Sequence, residues 1–194
     1  GMALSLAEIE DICRHNSRAV LVDEAYIAFG GESALSLLGR CPNLVVTRTF
    51  SKSHSLAGLR VGYAIASADL IQALYSVKNS FNSYPVDRIA QAAAKAAIED
   101  VEYTNNVVRK IVATREEAVS RLGELGFTCL PSSANFLFAR HGSADAGELM
   151  RGLRERAVLV RYFNRPRISQ FLRISIGTDA EMERLYYALA DLLK

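Results

Sequence analysis

Lys52 stands where its amine could do carbonyl chemistry. It lies in Thr49-Phe50-Ser51-Lys52, with Gly58-Leu59-Arg60-Val61-Gly62 shortly after and Asp23-Glu24-Ala25-Tyr26 upstream. A lysine amine condenses with an aldehyde, and a carboxylate pairs with a protonated pyridine nitrogen. Hydroxyls and an arginine fork hold a phosphate. Those are the groups that pyridoxal 5'-phosphate (PLP) needs from a protein. Asp23 would favour the protonated ring through its opposite charge, and Tyr26 would donate a hydrogen bond to the ring phenolate oxygen. Thr49, Ser51 and Arg60 would share the phosphate. Lys52 would carry the aldehyde and, once freed by a substrate amine, move the proton at the substrate Cα.

Taken singly, each residue has a plainer reading. A lysine in a loop is commonly a solvated charge, Asp-Glu at a strand end can cap a turn, and Gly58 and Gly62 can serve the backbone alone. Placement favours the chemical reading. Ala19-Val20-Leu21-Val22 is a continuous apolar run, as in a strand buried on both faces of a parallel sheet. Leu44-Val45-Val46 repeats it, and 61–66 gives a third short strand. Asp23 and Tyr26 then follow the end of the first strand, and 49–52 the end of the second. In open α/β sheets ligands bind outside the carboxyl ends of strands, so the two motifs converge on one edge.

The remaining elements are read from periodicity. Leu6, Ile9, Ile12 and Cys13 predict an opening amphipathic helix, and 33–38 a short helix before the Cys41-Pro42-Asn43 turn. Ser67 can cap a helix over 68–78. Pro85 suits the first turn of a helix over 86–99, with Ile89, Ala93 and Ala97 on one side. A longer helix over 101–122 ends near Gly123 and Gly126. Beyond it, 127–130, 135–139, 158–162 and 172–176 read as strands, with helices over 144–156 and 179–193. A boundary inside the long helix separates part of an α/β domain, 1–107, from a small α+β domain, 108–194.

Composition narrows the function classes. Half of the 194 residues are hydrophobic and the formal net charge is +2, as in an ordinary globular chain. No basic element suggests a nucleic-acid partner, and no apolar run is long enough to span a bilayer. Gly1-Met2-Ala3-Leu4 lacks the basic start of a signal peptide. Cys13, Cys41 and Cys129 are odd in number and far apart, which argues against a disulfide framework and for a reducing cytoplasm. His15, His54 and His141 lack metal-ligand spacing, so no metal is expected, and His54 receives no role.

Val22-Asp23-Glu24-Ala25-Tyr26, Arg48-Thr49-Phe50-Ser51-Lys52 and Leu56-Ala57-Gly58-Leu59-Arg60-Val61-Gly62-Tyr63 resemble the core motifs of histidinol-phosphate aminotransferases. These belong to the aspartate-aminotransferase-like PLP superfamily. The likeness continues, more loosely, through Ser133-Ala134-Asn135-Phe136 and Leu172-Arg173-Ile174-Ser175-Ile176-Gly177-Thr178. It implies that Lys52 is the cofactor-bearing lysine and that Asp23, Tyr26, Thr49, Ser51 and Arg60 contact PLP. Arg173 would grip the substrate α-carboxylate and Arg161 the distal phosphate, although Arg165 and Arg167 offer alternative alignments. Asn135 would support the substrate loop or simply its own strand.

Family members are nearly twice this length. The fold implied is therefore a partial PLP-transferase large domain, a parallel-type sheet with helices, followed by the small domain. The activity implied is amino transfer between histidinol phosphate, or a similar amino compound, and 2-oxoglutarate, in a homodimer. Without the N-terminal half, little turnover is expected. Two other readings stand beside it: a non-catalytic fragment that oligomerises, and a PLP decarboxylase of the threonine-phosphate type.

Overall fold

Capping and strand pairing organise the first part of the chain. The computed structural model describes residues 1–194. They divide into two units, Ala3–Val107 and Val108–Lys194 with Gly1–Met2, the division falling inside one helix.

In the first unit, a Ser5–Glu8 capping box starts helix α1, Leu6–Arg14. Its Ile9 and Cys13 pack on Ala34, Leu37, Cys41, Leu44 and Val46. Strand β1, Val20–Asp23, pairs in parallel with β2, Leu44–Thr49, and β2 pairs antiparallel with β3, Gly62–Ala66. The sheet is therefore mixed. The β2–β3 connection holds a 3-10 turn, Ala57–Leu59, and no crossover helix of the kind that parallel pairing needs.

Strand β1 also departs from the expected burial on both faces. Val20 and Val22 pack towards α1, whereas Leu21 on the opposite face is 62% exposed. The 33–38 helix is realised as a 3-10 turn, Ala34–Leu37. Helix α2, Ala68–Phe81, follows Ser67, but the Ser67 hydroxyl donates to Pro42 O (3.2 Å) and does not cap. Helix α3, Arg88–Glu99, is capped by Asp87, whose carboxylate accepts the Ala90 N–H at 2.8 Å, so Pro85 precedes the helix. Ala90 and Ala94 form its buried stripe, and Ile89 faces solvent at 76% exposure.

Helix α4, Val101–Glu124, leads into the second unit. Gly126 closes the turn with φ +85°, a left-handed conformation suited to glycine. Strands β4 (Phe127–Cys129), β5 (Phe136–His141), β6 (Arg161–Tyr162) and β7 (Leu172–Ser175) form an antiparallel sheet in the order β4-β5-β7-β6. Helices α5 (Ala146–Glu155) and α6 (Asp179–Leu192) start at Asp145 and Thr178 caps. Together with α4 they bury Leu122, Leu153, Leu185 and Leu189 against Leu137, Leu172 and Ile174. Each such leucine contributes about 1.5–3 kcal/mol of transfer free energy. The strand expected over 158–162 shrinks to two residues. Ala157 turns with φ 58°, and the Val158 N–H donates back to Leu153 O (2.9 Å), so that segment closes α5 before it can pair. No helix is long and apolar enough to cross a membrane.

Candidate active site

The candidate residues Asp23, Tyr26, Thr49, Ser51 and Lys52 lie at or just past the ends of β1 and β2. Their parallel register places Asp23 opposite Thr47, and the Glu24 N–H donates to Thr47 O (2.8 Å), extending the ladder by one step. One Asp23 carboxylate oxygen accepts the Ala25 N–H at 3.0 Å, which bends the chain toward Tyr26 and the 3-10 turn Ile27–Phe29. On β2, the Thr49 hydroxyl accepts the Ser51 N–H (3.1 Å) and donates to Val61 O (3.4 Å).

Phe50 anchors the loop that carries Lys52. Its ring is buried with Val61, Ala90 and Ala94, and its N–H donates to Val61 O (3.1 Å). Its carbonyl accepts the Leu56 N–H (3.0 Å), so both loop ends are tied at one buried residue. The loop turns through Ser55, at φ 57°, whose N–H donates to Lys52 O (3.3 Å). Half-buried Lys52 then places Nζ 5.5 Å from the centroid of the Tyr26 ring, a cation–π contact between residues from two strand ends.

Arg60 is held in its own turn rather than against the other candidate residues. It is exposed, lies at the end of the Ala57–Leu59 turn with φ 56°, and donates from Nη1 to Ala57 O (3.0 Å). A left-handed conformation at a non-glycine residue costs about 1–3 kcal/mol and recurs at functional sites. Gly62 has a different reason to be glycine: a Cβ there would stand 2.8 Å from Arg48 O.

Two residues of the quoted motifs, Glu24 and Arg48, have positions that the sequence reading left without a role. The Glu24 carboxylate is buried; Arg48 donates to its Oε2 from Nε (3.0 Å) and Nη2 (2.9 Å), and Ser33 Oγ donates to the same oxygen (2.9 Å). The Ala34 N–H donates to Oε1 (2.6 Å). Burial works against the Arg48 charge, but its hydrogen bonds to Glu24 and Tyr63 outweigh that and raise its pKa. The signal for this pair was the register, which sets Glu24 beside Arg48 one step past Asp23 and Thr47. His54 packs on Phe50 (5.0 Å between centroids) and shares a 3.0 Å hydrogen bond with the buried Ser53 hydroxyl; burial lowers its pKa.

The candidate substrate residues lie in the second unit. Arg161, Arg173 and Phe138 are aligned across β6, β7 and β5. Two arginines opposite one another on neighbouring strands repel, and an anion relieves that repulsion. The Arg173 guanidinium lies 4.0 Å from the Phe136 ring centroid, and that of Arg161 lies 5.4 Å from Phe163. Half-buried Asn135 accepts the Ile176 N–H on its carbonyl (2.9 Å), a strand-supporting contact. Arg165 and Arg167 are exposed in the loop between β6 and β7.

The donor set at the strand ends suits PLP: an amine for its aldehyde, a carboxylate for its ring nitrogen, a phenol beside the amine, and hydroxyl and guanidinium donors for a phosphate. Residues 1–189 match the family described as aminotransferase class I and II. The chain is 58% identical over 189 residues to the histidinol-phosphate aminotransferase of Acinetobacter baumannii, covering 97% of this chain and 52% of that one. It thus spans about half the length of the curated relatives it matches. The solved histidinol-phosphate aminotransferase of Sinorhizobium meliloti, in complex with pyridoxal-5'-phosphate, superposes with a TM-score of 0.86 at 28% identity, over 100% of this chain and 54% of that one. The L-threonine-O-3-phosphate decarboxylase of Porphyromonas gingivalis gives 0.82 at 25% identity, over 100% and 61%. The fold, the strand-end motifs and these matches agree: the chain belongs to the class I and II aminotransferase family.

Proposed function

We propose that this chain is the lysine-bearing part of a PLP-dependent aminotransferase that acts on histidinol phosphate, with 2-oxoglutarate as the exchange partner. The observation that carries the reading is Lys52 Nζ at 5.5 Å from the Tyr26 ring, where two paired strands end together. The 58% identity to a histidinol-phosphate aminotransferase, against 25% to the decarboxylase, favours amino transfer. When bound, PLP supplies an aldehyde that condenses with amines and a ring that withdraws electrons from the substrate Cα.

The chain's residues divide the remaining work. Lys52 holds the cofactor and, with its amine released, moves the proton at the substrate Cα. Asp23 keeps the ring nitrogen protonated through its opposite charge. Tyr26 donates its phenol proton to the ring oxygen, and Thr49, Ser51 and Arg60 bind the phosphate. Arg173 receives the substrate carboxylate, Arg161 its distal phosphate, and Asn135 steadies the strand that carries Phe136 and Phe138. Turnover requires, on this reading, the half of the relatives' length that the chain does not span, and the assembled enzyme is a dimer in the reducing cytoplasm.

The test is to titrate the chain with PLP, reduce with borohydride and map the labelled peptide. Label confined to Lys52 and abolished in Lys52→Ala is the expected result. Equal labelling of Lys78, Lys95 and Lys110 would sink the assignment. Once the site is loaded, oxo-acid-dependent exchange supports the aminotransferase, and carbon dioxide release from threonine phosphate supports a decarboxylase.

A further inference from the structure

The Glu24–Arg48–Ser33 cluster lies between the two cofactor-binding segments and contains none of the residues assigned to PLP. Glu24 directly follows Asp23, and Arg48 directly precedes Thr49. The Glu24 side chain is 4% exposed and that of Arg48 26%. A carboxylate so deep is tolerated only when paired and hydrogen-bonded. Glu24 accepts four hydrogen bonds from three residues on two stretches of chain, Arg48 on β2 and the adjacent Ser33 and Ala34. Ser33 Oγ also accepts from Arg48 Nη2 (2.8 Å) and from the Leu35 N–H (3.2 Å), so the hydroxyl sits at the centre of the cluster.

We propose that Glu24 and Arg48 are positioning residues: their ion pair, with its carboxylate buried, fixes segment 23–26 against segment 49–52 and so sets the reach of the Lys52 amine. Stability alone does not call for ions here, because a well-packed apolar pair is often as stabilising as a buried ion pair. Charged hydrogen bonds add direction, which apolar contacts lack. Tyr26 lies two residues past Glu24 and Lys52 four past Arg48, so slack at the pair passes directly to the Tyr26–Lys52 contact. The main chain joins the same two segments only at the ladder step beside the pair, where the Glu24 N–H donates to Thr47 O (2.8 Å), so the pair continues the β1–β2 register past its last rung.

The inference rests on the PLP reading, and the test separates the two. Arg48→Lys keeps the charge and loses the Nε donor; Glu24→Gln keeps the shape and loses the charge. Each full chain is titrated with PLP well below its melting temperature, with far-UV circular dichroism as the check of folding. Amide hydrogen exchange over 25–29 is followed in the PLP-free chain. The expected result is PLP affinity at Lys52 lowered about tenfold in each variant, an effect smaller than additive in the double variant, and faster exchange over 25–29. Affinity within about twofold of wild type, with unchanged exchange and a lower melting temperature, would show a merely structural pair and overturn the inference. If wild type forms no Lys52 adduct, the PLP reading fails, and exchange over 25–29 still decides whether the pair holds the segment. Should Glu24→Gln not fold, Arg48→Lys alone gives the answer.

Discussion

Around the four-stranded sheet, α4, α5 and α6 close one cluster of sixteen buried residues. The three-stranded sheet divides its apolar residues between a cluster of seven under α1 and a cluster of four beneath the Lys52 loop. It also leaves Leu21, Phe81 and Tyr84 at 62%, 80% and 94% exposure. Polar ties take a larger share there. Besides Glu24–Arg48–Ser33, the Asn43 amide lies 2.9–3.1 Å from the carbonyls of Cys13, Asn16 and Arg18 and joins the end of α1 to the start of β2. The second unit has polar ties of its own, Arg121–Glu183 and Arg156–Asp191, but they brace helices around one continuous core. In the unit that carries the cofactor motifs, the directed hydrogen bonds lie at the strand edge itself. Directed bonds fix separations at a strand edge, which is what a reactive amine requires.

Core truncation probes that contrast most strongly. Leu153, fully buried among α5 and α6 residues, should cost about 2–5 kcal/mol when changed to alanine, because the transfer and cavity terms add. Leu21→Ala should change stability by less than about 0.5 kcal/mol, since most of that side chain already faces solvent. Urea unfolding followed by circular dichroism measures both. Equal costs would mean that Leu21 is covered in solution, as it would be in an oligomer, and the contrast would fail.

A smaller effect is expected at the glycines of the second motif. In Gly62→Ala, the new Cβ meets Arg48 O at 2.8 Å, a main-chain atom that cannot turn aside. About 1–3 kcal/mol of destabilisation should follow, as for other overpacked sites, with a lower yield of Lys52 adduct. Gly58→Ala has no atom within 4 Å of its Cβ and should leave the melting temperature nearly unchanged. A similar loss at both positions would show that the motif's glycines act through backbone freedom and not through close approach.

How much of this could be read from the chain depends on range. Asp23, Thr49 and Lys52 are legible at strand ends because short apolar runs and the residues that end them are local signals. The Glu24–Arg48 pair is not, because it depends on β1–β2 register, a property of two distant segments. The continuous apolar run of 19–22 predicts burial on both faces of β1, yet exposure of Leu21 depends on what packs above it. Val158 and Val160 have the character of strand residues, but the left-handed turn at Ala157 closes a helix first. On α3 the expected stripe of Ile89, Ala93 and Ala97 meets the core at Ala97, while Ile89 faces solvent and Ala90 and Ala94 are the buried residues. In an alanine-rich helix a large apolar residue such as Ile89 draws attention, while packing selects Ala90 and Ala94 for close approach.

The smallest expected effect belongs to His54, in the polar-tied unit and two residues past Lys52. Burial against Phe50 holds its imidazole below the ordinary value of 6.5, so the folded state disfavours the proton that the unfolded chain accepts. A depressed folded pKa gives stability that is complete above the unfolded value and is lost as pH falls through the folded one. Melting temperature should therefore decline from about pH 7 to 5, and His54→Phe should make that decline shallower while keeping a ring on Phe50. The variant also loses the 3.0 Å bond to Ser53, which leaves a buried hydroxyl without that partner at every pH. The two contributions separate cleanly: the lost bond lowers the whole curve, and the lost titration changes only its slope. An unchanged slope would mean that His54 is solvated and that the Lys52 loop opens readily. Phe50 could not then be a tight anchor, and the order attributed to this edge of the sheet would have to come from the Glu24–Arg48 pair alone.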